Sequence, residues 1–193
     1  LPYISGLLVL NDPETGLPTC VMDATWVTAK RTGAASALAA KYLARKDSEV
    51  MGVLGCGVQG RSHLEAMREL FPIRKVYAYD IDPKASERYA SEMEGRFGLE
   101  VVPVGSPREA VADADIVVTA GPILKDPKPT IGKDWLKPGG FACPVDFDSY
   151  WKPEALAQID KYATDDIPQY RYYRSVGYFK NAPEPYADLG EIV

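Results

Sequence analysis

The chain is poor in the side chains that build metal and disulfide sites. Its 193 residues include three cysteines and one histidine. Cys20, Cys56 and Cys143 lie far apart, no C-x-x-C pair occurs, and His63 has no Cys, Asp or Glu at ligand spacing. Neither a disulfide framework nor a bound metal is therefore expected, and His63 reads as a helix-surface or interface residue. Long apolar runs are missing as well. Nothing approaches the length of a bilayer span and no signal-peptide pattern opens the chain, so no membrane partner is expected and a cytoplasmic setting is the default. Positive charge is in deficit, with 22 Lys and Arg against 27 Asp and Glu, a net charge of −5. That balance argues against a nucleic-acid surface. What remains, 46% hydrophobic and 25% charged, is ordinary globular composition. The length suits one sizeable domain, or one domain with part of another.

The most informative stretch runs from Val50 to Asp80. A short apolar run, Val50 to Leu54, passes into Gly55-Cys56-Gly57-Val58-Gln59-Gly60. A helical stretch follows to about Phe71-Pro72, then Val76-Tyr77-Ala78-Tyr79, closed by Asp80, which falls 20 positions after Gly60. Strand, glycine turn, helix, strand, acid is the order a dinucleotide-binding βαβ unit requires. Gly55 lets the chain leave the strand, Gly57 lets a pyrophosphate approach, and Gly60 lets the helix lie close to the sheet. The helix's first turn, at Val58 and Gln59, turns its free N–H groups and positive dipole end to the phosphates. Asp80 accepts from the adenosine ribose hydroxyls and repels a 2′-phosphate, so NAD is favoured over NADP. The bland alternative, a glycine turn that binds nothing with Asp80 as a helix cap, explains the context less well.

Around this unit the sequence predicts an α/β fold, a Rossmann-type doubly wound parallel sheet, with an N-terminal β-hairpin and helix from a substrate or dimerisation domain. Gly6 to Asp23 reads as the hairpin, and the opening on Leu1-Pro2-Tyr3 suggests a remnant of a sheet that continues upstream. Thr25 to Arg45 is an alanine-rich helix with Lys30, Arg31 and Thr32 near its start, a place suited to anions. Further strands are expected at Leu99–Val104, Asp115–Pro122, Phe141–Val145 and Ile159–Thr164, with helices opening at Asp82-Pro83, Ser106-Pro107 and Pro153. Thr119 to Pro122, at a strand's C-terminal end, belongs near the nicotinamide half of a cofactor. Asp146 and Asp148 close the next strand and are acid/base candidates, or else turn-forming residues before the helix. The tail, with Tyr170, Tyr172, Tyr173, Tyr178, Phe179 and Tyr186, implies burial of aromatics against a partner surface.

On these residues the sequence resembles the ornithine cyclodeaminase/μ-crystallin family of NAD(P)-dependent proteins. The likeness covers essentially the whole chain and rests on the hairpin Asp12 to Pro18, on Met22-Asp23 with Thr28 to Ala35, on Gly55 to Gly60 with Gln59 inside, and on Ala114 to Thr119. It implies that Arg31 holds a substrate carboxylate, that Gln59 lies beside the pyrophosphate, and that Thr32 and Thr119 border the cofactor. It matches Asp148 to the catalytic aspartate of the cyclodeaminases, with Lys152 following. Where family members often have a glycine-rich stretch, this chain reads Val145-Asp146-Phe147-Asp148, which keeps Asp146 as the other carboxylate.

The organisation expected from this resemblance is a hairpin remnant over 1–27, a connecting helix over 28–46, an NAD-binding domain over 47–175, and a return toward the substrate and dimer domain over 176–193. Family members carry more chain on both sides, including a catalytic lysine and a second carboxylate-binding arginine without counterpart here. A fragment centred on the cofactor domain, itself inactive, is therefore expected, and a homodimer when full length. The expected function is that of an NAD-dependent cyclodeaminase acting on a small amino acid, of the ornithine-to-proline type. An amino-acid dehydrogenase or cyclic ketimine reductase is the redox alternative, and a non-catalytic μ-crystallin-like binding protein is the other.

Overall fold

The structure, a computed structural model, describes residues 5–193. The expectation built on Leu1-Pro2-Tyr3 lies outside the described residues. β1 (Leu7–Asn11) and β2 (Pro18–Asp23) pair antiparallel, joined by a turn in which Asp12 Oδ1 accepts from the N–H groups of Glu14 and Thr15 at 2.9 and 2.8 Å. This hairpin leaves Leu7, Val9, Leu17 and Val21 exposed. Asp23 then accepts from the N–H and hydroxyl of Thr25 and so starts α1 (Thr25–Leu43) in place of the Ala24 side chain, which cannot cap.

Five parallel strands form the main sheet: β3 (Val50–Leu54), β4 (Lys75–Tyr79), β5 (Glu100–Pro103), β6 (Ile116–Thr119) and β7 (Phe141–Pro144). Their spatial order is β5-β4-β3-β6-β7. Between them run α2 (Val58–Met67), α3 (Pro83–Phe97) and α4 (Pro107–Val111). Strand period two assigns the two faces. Met51, Val53, Ile116 and Val118 pack on one face with Ala37, Leu64, Met67, Tyr89 and Met93 from α1, α2 and α3. Leu54 and Val117 point to the other, where α4 and the C-terminal segments cover them. Burial on both faces explains why β6 reads as an unbroken apolar run. The topology turns back at β3, between β4 and β6, and a doubly wound sheet opens its binding crevice at that switch point.

Beyond the sheet lie α5 (Pro153–Leu156), β8 (Ala163–Thr164), α6 (Ile167–Ser175), β9 (Ala187–Asp188) and α7 (Leu189–Ile192). Here the structure corrects two expectations. The stretch Ile159–Thr164 is not a sixth strand of the main sheet. Only Ala163–Thr164 is extended, and it pairs with Ala187–Asp188 in a separate two-stranded sheet. Part of the aromatic tail packs within its own chain, while Tyr172 and Tyr186 stay exposed: Phe147 lies 4.5 Å from Phe179 and 5.1 Å from Tyr173, centroid to centroid, and Tyr170 lies 4.8 Å from Phe179. Phe147 provides a surface that spacings of 26 and 32 residues hide from a sequence window, and aromatic pairs of this kind gain beyond the area they bury.

Candidate functional site

At the C-terminal edge of β3, Gly55 takes φ +100, and a Cβ there would stand 2.6 Å from the carbonyl carbon of Ala120. Only glycine fits that turn. Gly60 meets the loop from the helix side, where a Cβ would lie 2.5 Å from the Gly55 carbonyl oxygen. Gly57 differs from both: nothing stands within 4 Å of its Cβ position. It caps α2 without any side-chain hydrogen bond, so the first-turn N–H groups from Val58 onward have no side-chain acceptor from the cap. Val58 is exposed, and Gln59 turns its amide oxygen to the Ser62 hydroxyl at 3.3 Å.

Asp80 closes the loop from β4. Its Oδ2 accepts from the Cys56 N–H at 2.8 Å and its Oδ1 from the Asp82 N–H at 3.0 Å. The carboxylate is thus fixed beside the glycine turn. Burial, with the Asp80 charge adding to it, pushes the Cys56 thiol up to about 12, though Arg61 works in the opposite direction. The open wall at Gly57, the uncapped first turn of α2 and the anchored Asp80 fit a diphosphate flanked by a ribose diol.

The β6–β7 side of the crevice is built from side chains. Thr119, fully buried, donates to Asp146 Oδ1 at 2.6 Å and accepts from Trp151 Nε1 at 3.3 Å. Asp146 Oδ2 accepts from the Gly121 N–H at 2.9 Å, so both carboxylate oxygens are engaged. Burial pushes the Asp146 carboxyl up to about 6, against the hydrogen bonds from Thr119 and Gly121, which favour its ionised form. Tyr150 lies on Gly121, where a Cβ would come within 2.8 Å of its ring. Asp148 lines a cavity of about 330 Å³ together with Lys125, Trp151, Tyr178 and Phe179.

The structure therefore gathers Gly55, Gly57, Val58, Gln59, Gly60 and Asp80 around the glycine turn, with Thr119 and Asp146 joined to it through Gly121, whereas Asp148 lines a separate cavity beside Trp151 and Phe179. Arg31 and Thr32 belong to α1. α1 begins at Thr25, so these residues lie in its second turn, away from the free N–H groups that the helix-start reading relied on. Arg31 is exposed, and Thr32 donates its hydroxyl to the Thr28 carbonyl at 2.7 Å. His63 is also corrected. It is fully buried between α1 and α2, with Nδ1 2.7 Å from the Gln59 carbonyl and Nε2 2.8 Å from the Ser36 hydroxyl. Burial lowers its pKa, and its two polar neighbours satisfy a neutral ring, which the apolar stripe of α2 concealed. One residue the sequence did not single out is Arg61, beside the glycine loop. The position of Arg61 directly after Gly60 was the available signal.

The family described as ornithine cyclodeaminase/mu-crystallin matches residues 1–193. The alanine dehydrogenase of Archaeoglobus fulgidus is 37% identical over 201 residues, taking in 100% of this chain and 61% of that protein. The ornithine cyclodeaminase of Agrobacterium fabrum is 42% identical over 117 residues, 61% of this chain and 33% of its own length. Among solved structures, the Thermococcus litoralis Δ(1)-pyrroline-2-carboxylate reductase in complex with NADH and L-proline superposes with a TM-score of 0.83 at 33% identity, over 100% of this chain and 61% of that one. The chain thus spans about three-fifths of the relatives it matches from end to end.

Proposed function

The chain belongs to the ornithine cyclodeaminase/mu-crystallin family, and on that footing we propose that it is the cofactor-holding part of an NAD-dependent oxidoreductase acting at the Cα of a small amino or imino acid. One observation carries this reading: an open dinucleotide cradle at Gly57 and Asp80 whose Gly55 turn packs on Ala120 and Gly121, the latter donating to the buried carboxylate of Asp146, with Asp148 two residues further along the chain in its own cavity. When bound, NAD supplies a hydride acceptor. The N–H groups at Val58 and Gln59 hold the diphosphate, and Asp80 holds the ribose hydroxyls while excluding a 2′-phosphate. Thr119, clamped to Asp146, forms the floor at the nicotinamide end. Arg31 takes the substrate carboxylate through a bidentate pair, and Asp148 takes up and returns the proton at the reacting nitrogen. Asp146, with its raised pKa, is the alternative proton carrier.

Cyclodeamination, in which the hydride returns to the substrate and ammonia leaves, is the first form of this proposal. Net redox is the second, favoured by likeness along the whole chain to an alanine dehydrogenase and a pyrroline-2-carboxylate reductase. The intact protein should be screened with ornithine, lysine, alanine and cyclic imino acids. Ammonia from ornithine without accumulating NADH marks the first form, and NADH produced or consumed in step with substrate marks the second. Asp148→Asn should lower kcat at least about 100-fold with NADH affinity kept. NAD binding without turnover of any of these substrates would sink the enzyme reading and leave a binding protein.

A further inference from the structure

Arg61 makes an arrangement that the cofactor contacts above do not use. Its Nη1 donates to the carbonyl oxygens of both Cys56 and Gly57, the latter at 3.1 Å. Its Nε pairs with Glu92 of α3 at 2.8 Å, and its guanidinium carbon lies 5.4 Å from the centre of the Tyr89 ring. Tyr89, fully buried, donates its hydroxyl to the Gly60 carbonyl at 3.3 Å. The guanidinium is thus held from α3 and grips two consecutive peptides of the glycine loop.

Peptide geometry turns that grip into a direction. In a trans peptide the carbonyl and the following N–H lie in one plane and point in opposite directions within it. Holding the Cys56 carbonyl therefore aims the Gly57 N–H away from Arg61, and holding the Gly57 carbonyl does the same for the Val58 N–H. Asp80 fixes the preceding peptide by accepting from the Cys56 N–H. With Gly57 open beyond its Cβ position, the two aimed N–H groups face the empty side of the loop.

We infer that Arg61 is a positioning residue for the cofactor: from behind the glycine loop it orients the Gly57 and Val58 amides toward the diphosphate. The inference rests on the dinucleotide reading of this site and goes beyond it by giving a role to a residue outside the cradle. Its preorganised amides spare the ligand the cost of ordering the loop.

The test compares ligands with and without a diphosphate, using the intact protein and its Arg61→Met, Arg61→Lys and Glu92→Gln variants. NADH affinity is read by fluorescence, and ADP-ribose and adenosine affinities by ligand-observed NMR. Arg61→Met, which keeps the side-chain bulk, should weaken NADH and ADP-ribose about tenfold and adenosine less than about twofold. Arg61→Lys, retaining a donor without the fork, should fall between wild type and Arg61→Met. Unchanged NADH affinity in Arg61→Met, or equal losses for ADP-ribose and adenosine, would overturn the inference, the latter marking general loosening. If Arg61→Met does not fold, Glu92→Gln decides: a loss of about twofold to threefold confined to the diphosphate ligands supports the role, and no loss overturns it. Wild-type protein that binds no NADH would overturn the cofactor reading itself, and this inference with it.

Discussion

Two buried aspartates bracket β6, and their surroundings are opposite. Asp115, just before the strand, receives Arg45 and Lys137, each at 2.6 Å, and the N–H groups of Glu49 and Val50, each at 2.9 Å. Burial alone would raise its pKa, yet Lys137 and these amides hold it down at about 2. Asp146, at the other end, has a hydroxyl and one amide and sits at about 6. The base of the sheet is thus locked by full charge pairing. Its C-terminal edge, where ligands bind, keeps a carboxylate that can change state near neutrality.

Breaking the lock should have the largest effect. Asp115→Asn removes the charge that Arg45 and Lys137 share at Oδ1 and, if the remaining oxygen keeps the Glu49 and Val50 N–H groups that both donate to Oδ2, turns an amide NH2 toward the two cations. A loss of roughly 3 kcal/mol is expected in urea denaturation, moderated because both cations are partly exposed. A loss below about 1 kcal/mol would show that the base is not held in this way.

A pH series sharpens the contrast further. Asp146 has a folded pKa above its ordinary 3.8, so its contribution to stability is full below about pH 4 and is lost as pH rises through about 6. Asp115 has the opposite sign, contributing fully above about pH 4 and losing that contribution as pH falls through about 2. Wild-type protein should lose on the order of 2 kcal/mol between pH 4 and 7 through Asp146, a slope that Asp146→Asn removes. Identical slopes in the two proteins would place the titration elsewhere. The smallest effect concerns a third aspartate, Asp80, which follows β4 at the C-terminal edge. Asp80→Ser should shift the NAD-to-NADP affinity ratio about tenfold toward NADP, roughly 1.4 kcal/mol, and an unmoved ratio would remove Asp80 from the ribose site.

The cofactor side was legible because its parts are local. Gly55, Gly57, Gly60 and Asp80 act through backbone space within one βαβ unit, and spacing along the chain reports such space directly. The five strands were legible for a similar reason, since burial on both faces leaves continuous apolar runs. The opposite side was not. Asp146 meets Thr119 across 27 residues and Phe147 meets Phe179 across 32, and no periodicity encodes such partners. His63 was misread because a polar ring inside a core depends on Ser36, a hydroxyl from another helix. Arg31 was read as near a helix start, and α1 does begin at Thr25 as expected, but six residues on Arg31 already lies in the second turn, past the free N–H groups.

The thiol inside the glycine motif has a practical consequence. Alkylating reagents and peroxide attack the thiolate, and with Cys56 pushed up to about 12 only a trace of that species exists at neutral pH. Electrophilic probes should react with the partly open Cys20 before the buried Cys56 of the glycine loop. A cysteine can therefore occupy the centre of the nucleotide turn without making it a point of oxidative inactivation.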